Sequence, residues 1–493
     1  MSAANLYRTV NTAWTEGRLD NILQRQKELS ALHANIKNSA SALVDAVSHD
    51  LVTTEQSVAE EVRQTLDAIK HLYDSLDFPD SLRKERSIKK GNSVLEDLVP
   101  LGPSLIDPDP KLPISSTLIP LAAAVSAGSA TVVLAPSGDS SLPSVELIRN
   151  IVRESLDVEA IAITADASSE TREQLVSNYF AVAVLQNKEA QEFMVQRLTR
   201  VNYSTRILAP PSGIPAIFVD RTAQDLEAVA AHLRTGILRS PQRDVFRTLR
   251  ICFVDEFIIE RLADLLDRGG TTGQKALEKP STSGNDSQAL QIKLKALFPS
   301  LRNDVSGAPF GPVIQLSTKD PITPENIKEI AGYLTASTGE LVLVPVTSLD
   351  NGIDLFNKVN RPEFSQAVYI FGESRSSFYI SKFTNSLHVF INQIPAGSLL
   401  PLSPSSPVIS FGLPYHRQDF SVGKSILQAP LTQPHEYVFR AAQHRLNSSK
   451  SYQPKGGSLS FFEQGLLVGL AVILATISGF SYVGIRGARY YWK

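Results

Sequence analysis

The stretch that most constrains the fold is residues 208–254, because strand-like and helix-like patterns alternate along it. A Pro-Pro-Ser-Gly turn at 210–213 leads into an apolar run at 214–219, which predicts a buried strand. Apolar residues then recur at helical spacing from Thr222 to Leu238, and a second apolar run follows at 249–254. The order strand, helix, strand predicts one β/α unit of a parallel sheet.

The same alternation continues on both sides of this stretch. Upstream, strand patterns are followed by helix patterns at 104–106, 121–128, 131–134, 143–156, 160–164, 170–176 and 180–184. Downstream, helix patterns lie at 256–266 and 327–334, and strand patterns lie at 341–346 and 366–371. Two amphipathic helical stretches, 14–51 and 55–76, precede the first strand. The predicted fold class is therefore α/β, with two doubly wound domains.

Composition narrows the class of protein. A chain of 493 residues with 43% hydrophobic and 20% charged residues predicts two or three globular domains. The net charge of −2, without a run of basic residues and interleaved aromatics, excludes nucleic acid as an expected partner. The single cysteine, Cys252, excludes an intramolecular disulfide and a multi-thiolate metal site, which fits a reducing compartment. Its apolar surroundings predict a buried residue in a core strand, with a displaced nucleophile as the alternative.

The C-terminal run at 465–485 carries no charged residue and is just long enough to cross the hydrocarbon core of a bilayer. Residues 486–493 then supply two arginines, two tyrosines, a tryptophan and a lysine, which suits an interfacial anchor. The run predicts a single-pass transmembrane helix with the bulk of the chain facing the cytosol. A buried globular helix is the alternative. The endoplasmic reticulum, the mitochondrial outer membrane and peroxisomes are all compatible with such a tail.

The order of these pieces resembles that of aldehyde dehydrogenases, and the opening resembles their fatty-aldehyde branch. Eight residues occupy places of that branch's opening motifs: Trp14, Gly17, Arg25, Leu29, Leu32, Leu43, Asp50 and Leu51. Further matching pieces are LIPL at 118–121, SLD at 348–350 and QAVYIF at 366–371. Some members of the branch also carry a C-terminal membrane span. The resemblance covers the chain from about Trp14 to Lys424.

This resemblance implies that the catalytic groups of the family have been replaced. The family's oxyanion-binding asparagine falls at Lys111, its general-base glutamate at Ala209, and its nucleophilic cysteine at about Phe246. The long ammonium side chain of Lys111 cannot reproduce the geometry of a short amide donor. No catalytic residue of the family is therefore expected to be intact. The sequence also lacks other catalytic motifs and histidines at metal-ligand spacing, so no metal site is expected.

The residues that bind NAD in the family are also altered. Ala135, Pro136, Ser137 and Gly138 stand where the family has Lys-Pro-Ser-Glu, whose lysine and glutamate contact the adenosine ribose. Gln186 stands in place of the glycine of Phe-Thr-Gly-Ser, where the backbone approaches the pyrophosphate. No cofactor is therefore expected, and NAD(P) is expected only if the chain is an active enzyme.

The predicted domain organisation follows from the pattern and the resemblance together. A degenerate NAD-binding-type domain is predicted at 1–207, and a catalytic-type domain with a mobile loop at 268–290 is predicted at 208–393. Residues 394–428 are predicted to form a β-arm for oligomerisation and a return to the first domain, followed by a linker at 429–464. The resemblance implies a homodimer, or a heterodimer with a related active enzyme.

Three functional hypotheses remain open from the sequence. The first is a membrane-anchored, catalytically inactive relative of aldehyde dehydrogenases that acts by binding or by regulating a partner. The alternative is an active NAD(P)-dependent dehydrogenase of fatty or other hydrophobic aldehydes, with Cys252, Glu227 or Asp244 in catalytic service. The third is a purely structural membrane scaffold.

Overall fold

The computed structural model describes residues 3–137, 141–239, 250–268, 292–300, 313–334, 341–395, 404, 412–428 and 466–478. The chain divides into two compact units, residues 1–428 and 429–493. The first unit contains both predicted α/β sheets. The second is described only over helical residues 466–478, which lie inside the predicted membrane span and expose their apolar side chains. Within the described parts of the chain, no helix has the length and apolar character needed to cross a membrane.

Five helices open the first unit: α1 Ala3–Thr15, α2 Ile22–Asn38, α3 Ala40–Leu51, α4 Glu55–Asp74 and α5 Phe78–Lys89. The side chain of Asn21 caps α2 and that of Thr54 caps α4. In both helices, a side-chain oxygen accepts a hydrogen bond from a backbone N–H of the first turn. The apolar stripe predicted for α2 is fully buried at Leu29, Leu32 and Ile36. Strand β1, Val94–Pro100, follows α5.

The first sheet has five parallel strands in the order β4-β3-β2-β5-β6. The strands are β2 Ser104–Asp107, β3 Thr131–Val133, β4 Ile161–Ile163, β5 Val182–Leu185 and β6 Arg206–Leu208. The helices between and after them are α6 Pro113–Ala127, α7 Pro143–Ser155, α8 Ser169–Val176 and α9 Lys188–Val201. Helices α2, α3, α4, α6 and α7 share the core on one face, and α1, α8 and α9 share the core on the other.

The second sheet has six parallel strands in the order β12-β11-β7-β8-β10-β9. The strands are β7 Ala216–Val219, β8 Ile251–Asp255, β9 Val313–Gln315, β10 Leu341–Val346, β11 Ser365–Phe371 and β12 Ser386–Ile391. The helices are α10 Leu226–Arg239, α11 Ile259–Arg268, α12 at 292–297, α13 Pro324–Leu334, α14 Leu349–Asn360 and α15 Ser374–Phe383. Helices α10 and α11 cover one face, while α12 to α15 cover the other.

The last strand of the unit, β13 Ser421–Ile426, pairs with β1 in a two-stranded antiparallel ribbon. A 3-10 turn, Arg417–Phe420, precedes it. Arg206 of β6 binds this segment to the first sheet. Its Nη1 donates to the carbonyls of Gln418, Asp419 and Ser421 at 2.8, 2.9 and 3.1 Å. Strand β13 lies inside the predicted arm at 394–428, of which residues 396–403 and 405–411 fall outside the described residues.

The α/β class with parallel sheets is confirmed, and most strands begin and end within two residues of their predicted bounds. Several helix starts were predicted wrongly, including those of α6, α10, α11 and α13. Helix α6 begins at Pro113 and not at residue 121, because proline is preorganised for the first helical turn. Helix α10 begins at Leu226 and not at Thr222, because Thr222 bonds Asp220 instead and Asp225 caps the helix through Ala228 N. The predicted loop at 268–290 lies outside the described residues beyond Arg268.

Candidate functional site

The candidate site is the carboxyl edge of the first sheet, where the ends of parallel strands meet. Open α/β sheets bind their ligands at this edge. The structure brings Lys111, Ala135 and Gln186 to it, after β2, β3 and β5, and places Ala209 directly after β6. Two further predicted site residues, Gly138 and Phe246, lie outside the described residues.

Gln186 has a structural partner at this edge. Its side-chain Nε2 donates to the carbonyl of Ser116 in α6 at 2.9 Å, and the residue is almost fully buried. That carbonyl would ordinarily accept the N–H four residues later, but this residue is Pro120, which has no N–H. Gln186 therefore satisfies a buried acceptor that the proline leaves open, at the position where the family has its phosphate-binding glycine.

A buried ion pair crosses the same edge. Arg172 of α8 donates to Asp107, at the end of β2, with Nη2–Oδ1 and Nε–Oδ2 distances of 3.1 and 3.3 Å. Its Nη1 also donates to the carbonyl of Ala167, which follows β4. Because β3 lies between β2 and β4, the guanidinium bridges the two strands that flank the end of β3. Burial raises the pKa of Asp107 to about 6, since desolvation outweighs the effect of the Arg172 charge.

The residues at the end of β3 provide few groups that could form hydrogen bonds with a ribose. Ala135 is buried and has no polar side chain, and its backbone N–H donates to Thr164 Oγ1 at 3.0 Å. Thr164 Oγ1 in turn donates to the carbonyl of Asp166 at 2.5 Å. Pro136 is buried and Ser137 is partly buried. This turn therefore lies at the sheet edge, and its backbone N–H is used in an internal hydrogen bond.

At the start of α9, neighbouring side chains occupy or oppose the groups that could otherwise bind an anion. The side chain of Asn187 accepts the N–H of Glu189 at 3.1 Å, which satisfies a donor that a phosphate would otherwise bind. Glu189 also places a carboxylate in the first turn, where it interacts favourably with the helix dipole and would repel an anion. An anion therefore gains less at this helix end than at an uncapped one.

Lys188 joins this helix start to the loop that leads into β7. Its Nζ donates to the carbonyl of Pro210 at 2.5 Å and lies 3.2 Å from Ser212 Oγ. The same loop is held from the second sheet, because Ser212 N donates to Glu363 Oε2 at 2.7 Å. The loop that carries Ala209, at the place of the family's general base, is therefore bound on both sides. Sequence reasoning missed Lys188 because its partners lie more than twenty positions away.

The start of α6 is likewise bound internally. Glu61 of α4 accepts both the N–H and the hydroxyl of Ser115 at 2.7 and 2.8 Å, and the carboxylate is buried. Lys111, two residues before the helix, has an exposed side chain, while its backbone N–H donates to Asp109 Oδ1 at 2.9 Å. Lys111 is therefore a surface residue of the loop, and Glu61 is the polar residue that sequence reasoning overlooked.

The two described residues that were proposed as displaced catalytic groups, Cys252 and Glu227, do not form a site. Cys252 lies in the middle of β8 with no exposed surface, and burial raises the pKa of its thiol above its usual range. Its neighbours in the sheet, Ile217 and Leu343, are buried as well. Glu227 is exposed in the first turn of α10, and Asp244 lies outside the described residues. The described residues also contain no group of three His, Cys, Asp or Glu side chains able to hold a metal ion.

Comparison with solved structures identifies the fold. A Staphylococcus aureus AldH in a substrate-bound state is 16% identical with a TM-score of 0.66, covering 87% of this chain and 95% of that one. The chain has the aldehyde dehydrogenase fold. Aldehyde dehydrogenase 21 from Physcomitrella patens, in complex with succinate, is 14% identical with a TM-score of 0.66, covering 87% of this chain and 90% of that one.

A third similar structure is glyceraldehyde-3-phosphate dehydrogenase GapN from Methanocaldococcus jannaschii, complexed with NADP. It is 14% identical with a TM-score of 0.64, covering 86% of this chain and 94% of that one. No family model matches the chain, and no curated protein matches it significantly. At identities this low, the comparisons establish the shared fold alone. NAD(P) is the cofactor that this fold implies.

The described residues at the carboxyl edge do not fit NAD(P) in the manner of the family. The backbone donor after β3 is used by Thr164, and the glycine position holds Gln186, which is bonded to α6. The Asp107 and Arg172 pair bridges the strands on either side of β3. A bound nucleotide would have to displace these internal contacts, whose buried polar groups would then lose their partners.

The raised pKa of Asp107 provides a test of the buried ion pair at this sheet edge. A carboxyl group whose pKa is raised on folding binds its proton more tightly in the folded state, so its contribution to stability is greatest below pH 4 and falls as pH rises through 6. We expect the free energy of unfolding of wild type, minus that of Asp107→Asn, to fall by on the order of 2 kcal/mol between pH 4 and pH 7. Urea unfolding at several pH values measures this difference. Glu170→Gln, an exposed site on α8, controls for the lost charge, and parallel pH profiles for wild type and Asp107→Asn would contradict the assignment.

Proposed function

We propose that the chain is a membrane-anchored protein with the aldehyde dehydrogenase fold that does not oxidise aldehydes and instead acts by binding or regulating a partner. The observation that carries this proposal is the burial of Cys252 in β8, since it is the only cysteine of the sequence. Aldehyde oxidation of the family type begins with attack by a thiolate. A thiol inside a strand that is covered on both faces cannot reach an aldehyde.

The other replaced positions support the same proposal. In the family the glutamate activates water to release the acid product, and Ala209 has no group that could accept a proton. Loss of a single oxyanion donor lowers turnover by roughly 10² to 10³. Here Lys111 and Ala209 replace the donor and the base, and Gln186 and Lys188 use the crevice for internal contacts.

The alternative, an active NAD(P)-dependent dehydrogenase of hydrophobic aldehydes, is favoured by the comparisons. The similar solved structures include several named as aldehyde dehydrogenases, two glyceraldehyde-3-phosphate dehydrogenases complexed with NADP and one benzaldehyde dehydrogenase named as NAD-dependent. For this chain, such an activity would require a nucleophile other than a thiol, or local opening of β8 to expose Cys252. If the activity uses the thiol, the two hypotheses differ in the accessibility of Cys252.

Thiol labelling and an activity assay distinguish the two hypotheses. We expect Cys252 to react with an aromatic disulfide reagent roughly 100-fold or more slowly in the folded protein than in denaturant, because reaction requires opening of the core. We expect full-length protein with NAD⁺ or NADP⁺ and a long-chain aldehyde to form no reduced cofactor above the protein-free rate. Reduced cofactor that disappears in Cys252→Ala would establish the active enzyme and refute our proposal.

A partner subunit is proposed from two strand edges of the first unit that pair with no other described strand. Strand β12 is the outer strand of the six-stranded sheet, and α15 beside it exposes Phe378, Tyr379 and Phe383. The β1 and β13 ribbon exposes Val422, and among the described residues it pairs with no third strand. Unpaired edges and exposed aromatic side chains favour pairing with another chain. We propose that the ribbon joins two copies, or this chain and a related active enzyme.

A charge placed on the ribbon tests this proposal. Val422→Glu puts a carboxylate on the exposed face of β13, and we expect it to weaken self-association at least tenfold, or about 1.4 kcal/mol. Val158→Glu places the same charge on an exposed turn between α7 and β4 and serves as the matched control. Analytical ultracentrifugation of both variants in detergent measures the change. A wild-type protein that is monomeric at all concentrations would rule out the homodimer.

The membrane anchor is proposed from the uncharged run at 465–485 and its basic and aromatic flank. The helix at 466–478 supports it, because Leu466, Val468 and Ile473 are more than half exposed and would face water in a soluble protein. Exposed apolar surface of this kind favours transfer into a bilayer. The proposed location is a membrane facing the cytosol, in the endoplasmic reticulum, the mitochondrial outer membrane or peroxisomes.

Deletion of residues 465–485 tests the anchor. We expect the full chain to stay with membranes through alkaline carbonate extraction, because an uncharged helix of this length is stable in the hydrocarbon core. The deleted protein should move to the supernatant. A scrambled segment of the same composition should restore retention, which separates hydrophobicity from sequence. Release of the full chain by carbonate would refute the anchor.

A further inference from the structure

Helix α15 exposes three aromatic side chains, more than any other described helix. Phe378, Tyr379 and Phe383 are 65%, 40% and 46% exposed. The ring centroids of Tyr379 and Phe383 lie 4.8 Å apart, so these two rings form one apolar surface. Exposed apolar patches of this kind mark sites of interaction with proteins or membranes.

Two basic side chains share the exposed side of this helix. Arg375 and Lys382 are seven positions apart, which is close to two helical turns, and both are exposed. The Nζ of Lys382 lies 5.5 Å from the ring centre of Phe383. Ser377 and Ile380 are buried on the opposite side, towards the second sheet. We define the outer face of α15 as its five exposed aromatic and basic residues: Arg375, Phe378, Tyr379, Lys382 and Phe383.

The outer face of α15 contains no carboxylate, because the helix has no aspartate or glutamate. The nearest acidic residues belong to neighbouring segments. Asp350 of α14 accepts a hydrogen bond from the hydroxyl of Tyr379 at 2.7 Å. Asp354 of α14 pairs with Lys358 at 3.5 Å, and Glu373 precedes the first turn of α15. The face therefore combines aromatic rings with positive charge, and its acidic neighbours lie at its borders.

Helix α9 provides a contrast on the same unit. It also has an exposed aromatic ring beside a basic group, since the guanidinium of Arg197 lies 5.6 Å from the ring centre of Phe193. However, Glu189 and Glu192 place two carboxylates on that helix. Mixed charge with a single exposed ring is typical of an ordinary solvated helix. Helix α15 differs in having three rings and only basic charges.

Aromatic and basic side chains on one helix face are typical of contact with a phospholipid surface. Aromatic rings favour the interfacial region of a bilayer, and Lys and Arg bind the phosphates of anionic lipids. The sequence also provides a tether to such a surface, because 36 residues separate Gln428 from the uncharged run that begins at Gly465. Fully extended, a segment of this length spans roughly 120 Å. The tether is therefore long enough for the outer face of α15 to reach the membrane.

We propose that the outer face of α15 binds the surface of the membrane that holds the C-terminal anchor. This inference rests on the membrane anchor of the proposed function. Arg375 and Lys382 contact the phosphates of anionic phospholipids, and the three aromatic rings lie among the headgroups. The anchor raises the effective concentration of the membrane surface, so a contact that is weak by itself is sufficient. Helix α15 then lies between the second sheet and the bilayer.

Hydroxyl-radical footprinting of the full chain in vesicles tests this inference. The vesicles contain phosphatidylcholine with about one third phosphatidylserine, which supplies the anionic headgroups. We expect the oxidation rates of Phe378, Tyr379 and Phe383, read by mass spectrometry, to fall roughly fivefold or more because lipid covers the rings. The reference is the lipid-free chain that lacks residues 465–485. Phe193 and Tyr203 are exposed outside α15 and serve as controls in the same spectra, with little change expected.

Charge reversal separates the basic residues from the rings. Arg375→Glu combined with Lys382→Glu leaves all three aromatic side chains in place, and we expect it to remove their protection. Arg197→Glu combined with Arg200→Glu makes the same change of charge on exposed positions of α9 and should leave the protection intact. Far-ultraviolet circular dichroism checks that both variants are folded.

Flotation of the same vesicles measures the anchor separately. If the chain floats with the vesicles but the rings of α15 oxidise at the lipid-free rate, the inference is overturned and the anchor stands. It is also overturned if the charge-reversed α15 variant is protected as well as wild type is. If the chain does not float, the anchor and the inference fail together. Protection that rises with protein concentration in the lipid-free chain would assign the face to a second copy and would equally overturn the inference.

Discussion

Burial of both faces of two parallel sheets is the constraint on which the rest of this structure depends. The central strands are covered by helices on both sides, and all residues of β8 are buried. The same burial makes Cys252 unavailable, because a thiolate inside this strand would lose its hydration without gaining a partner. A single structural requirement therefore stabilises the fold and removes its only thiol from chemistry.

At the carboxyl edge of the first sheet, buried polar side chains bond to other segments of the same chain. Gln186 bonds the carbonyl that Pro120 leaves open, Arg172 pairs with Asp107, and Lys188 bonds the loop after β6. Each contact joins two segments at this sheet edge. A buried ion pair such as Asp107 and Arg172 adds little net stability but is costly to break at one partner. These contacts therefore favour a crevice that stays closed by its own side chains.

The sequence predicts the regular elements well and the polar contacts poorly. Apolar periodicity locates eight of the described strands within two residues, because buried parallel strands are continuous apolar runs, but it does not predict β1, β6, β9, β12 or β13. The same pattern places Ala135 and Gln186 at one sheet edge. It does not predict that Arg172 reaches Asp107, 65 positions away, or that Glu61 binds Ser115, since such pairs follow from packing between elements. Pro120 is visible in the sequence. Only the fold shows that Gln186 donates to the carbonyl of Ser116, which Pro120 leaves without its helical partner.

The burial of Cys252 also has a practical consequence for studies in solution. The sequence contains no second cysteine, so a cysteine introduced on the surface would be the only thiol accessible to a water-soluble probe. Spin labels or fluorophores could then be attached at chosen sites without first replacing a native residue and perturbing β8. Separations between the ribbon and either sheet would become measurable in the otherwise unaltered chain.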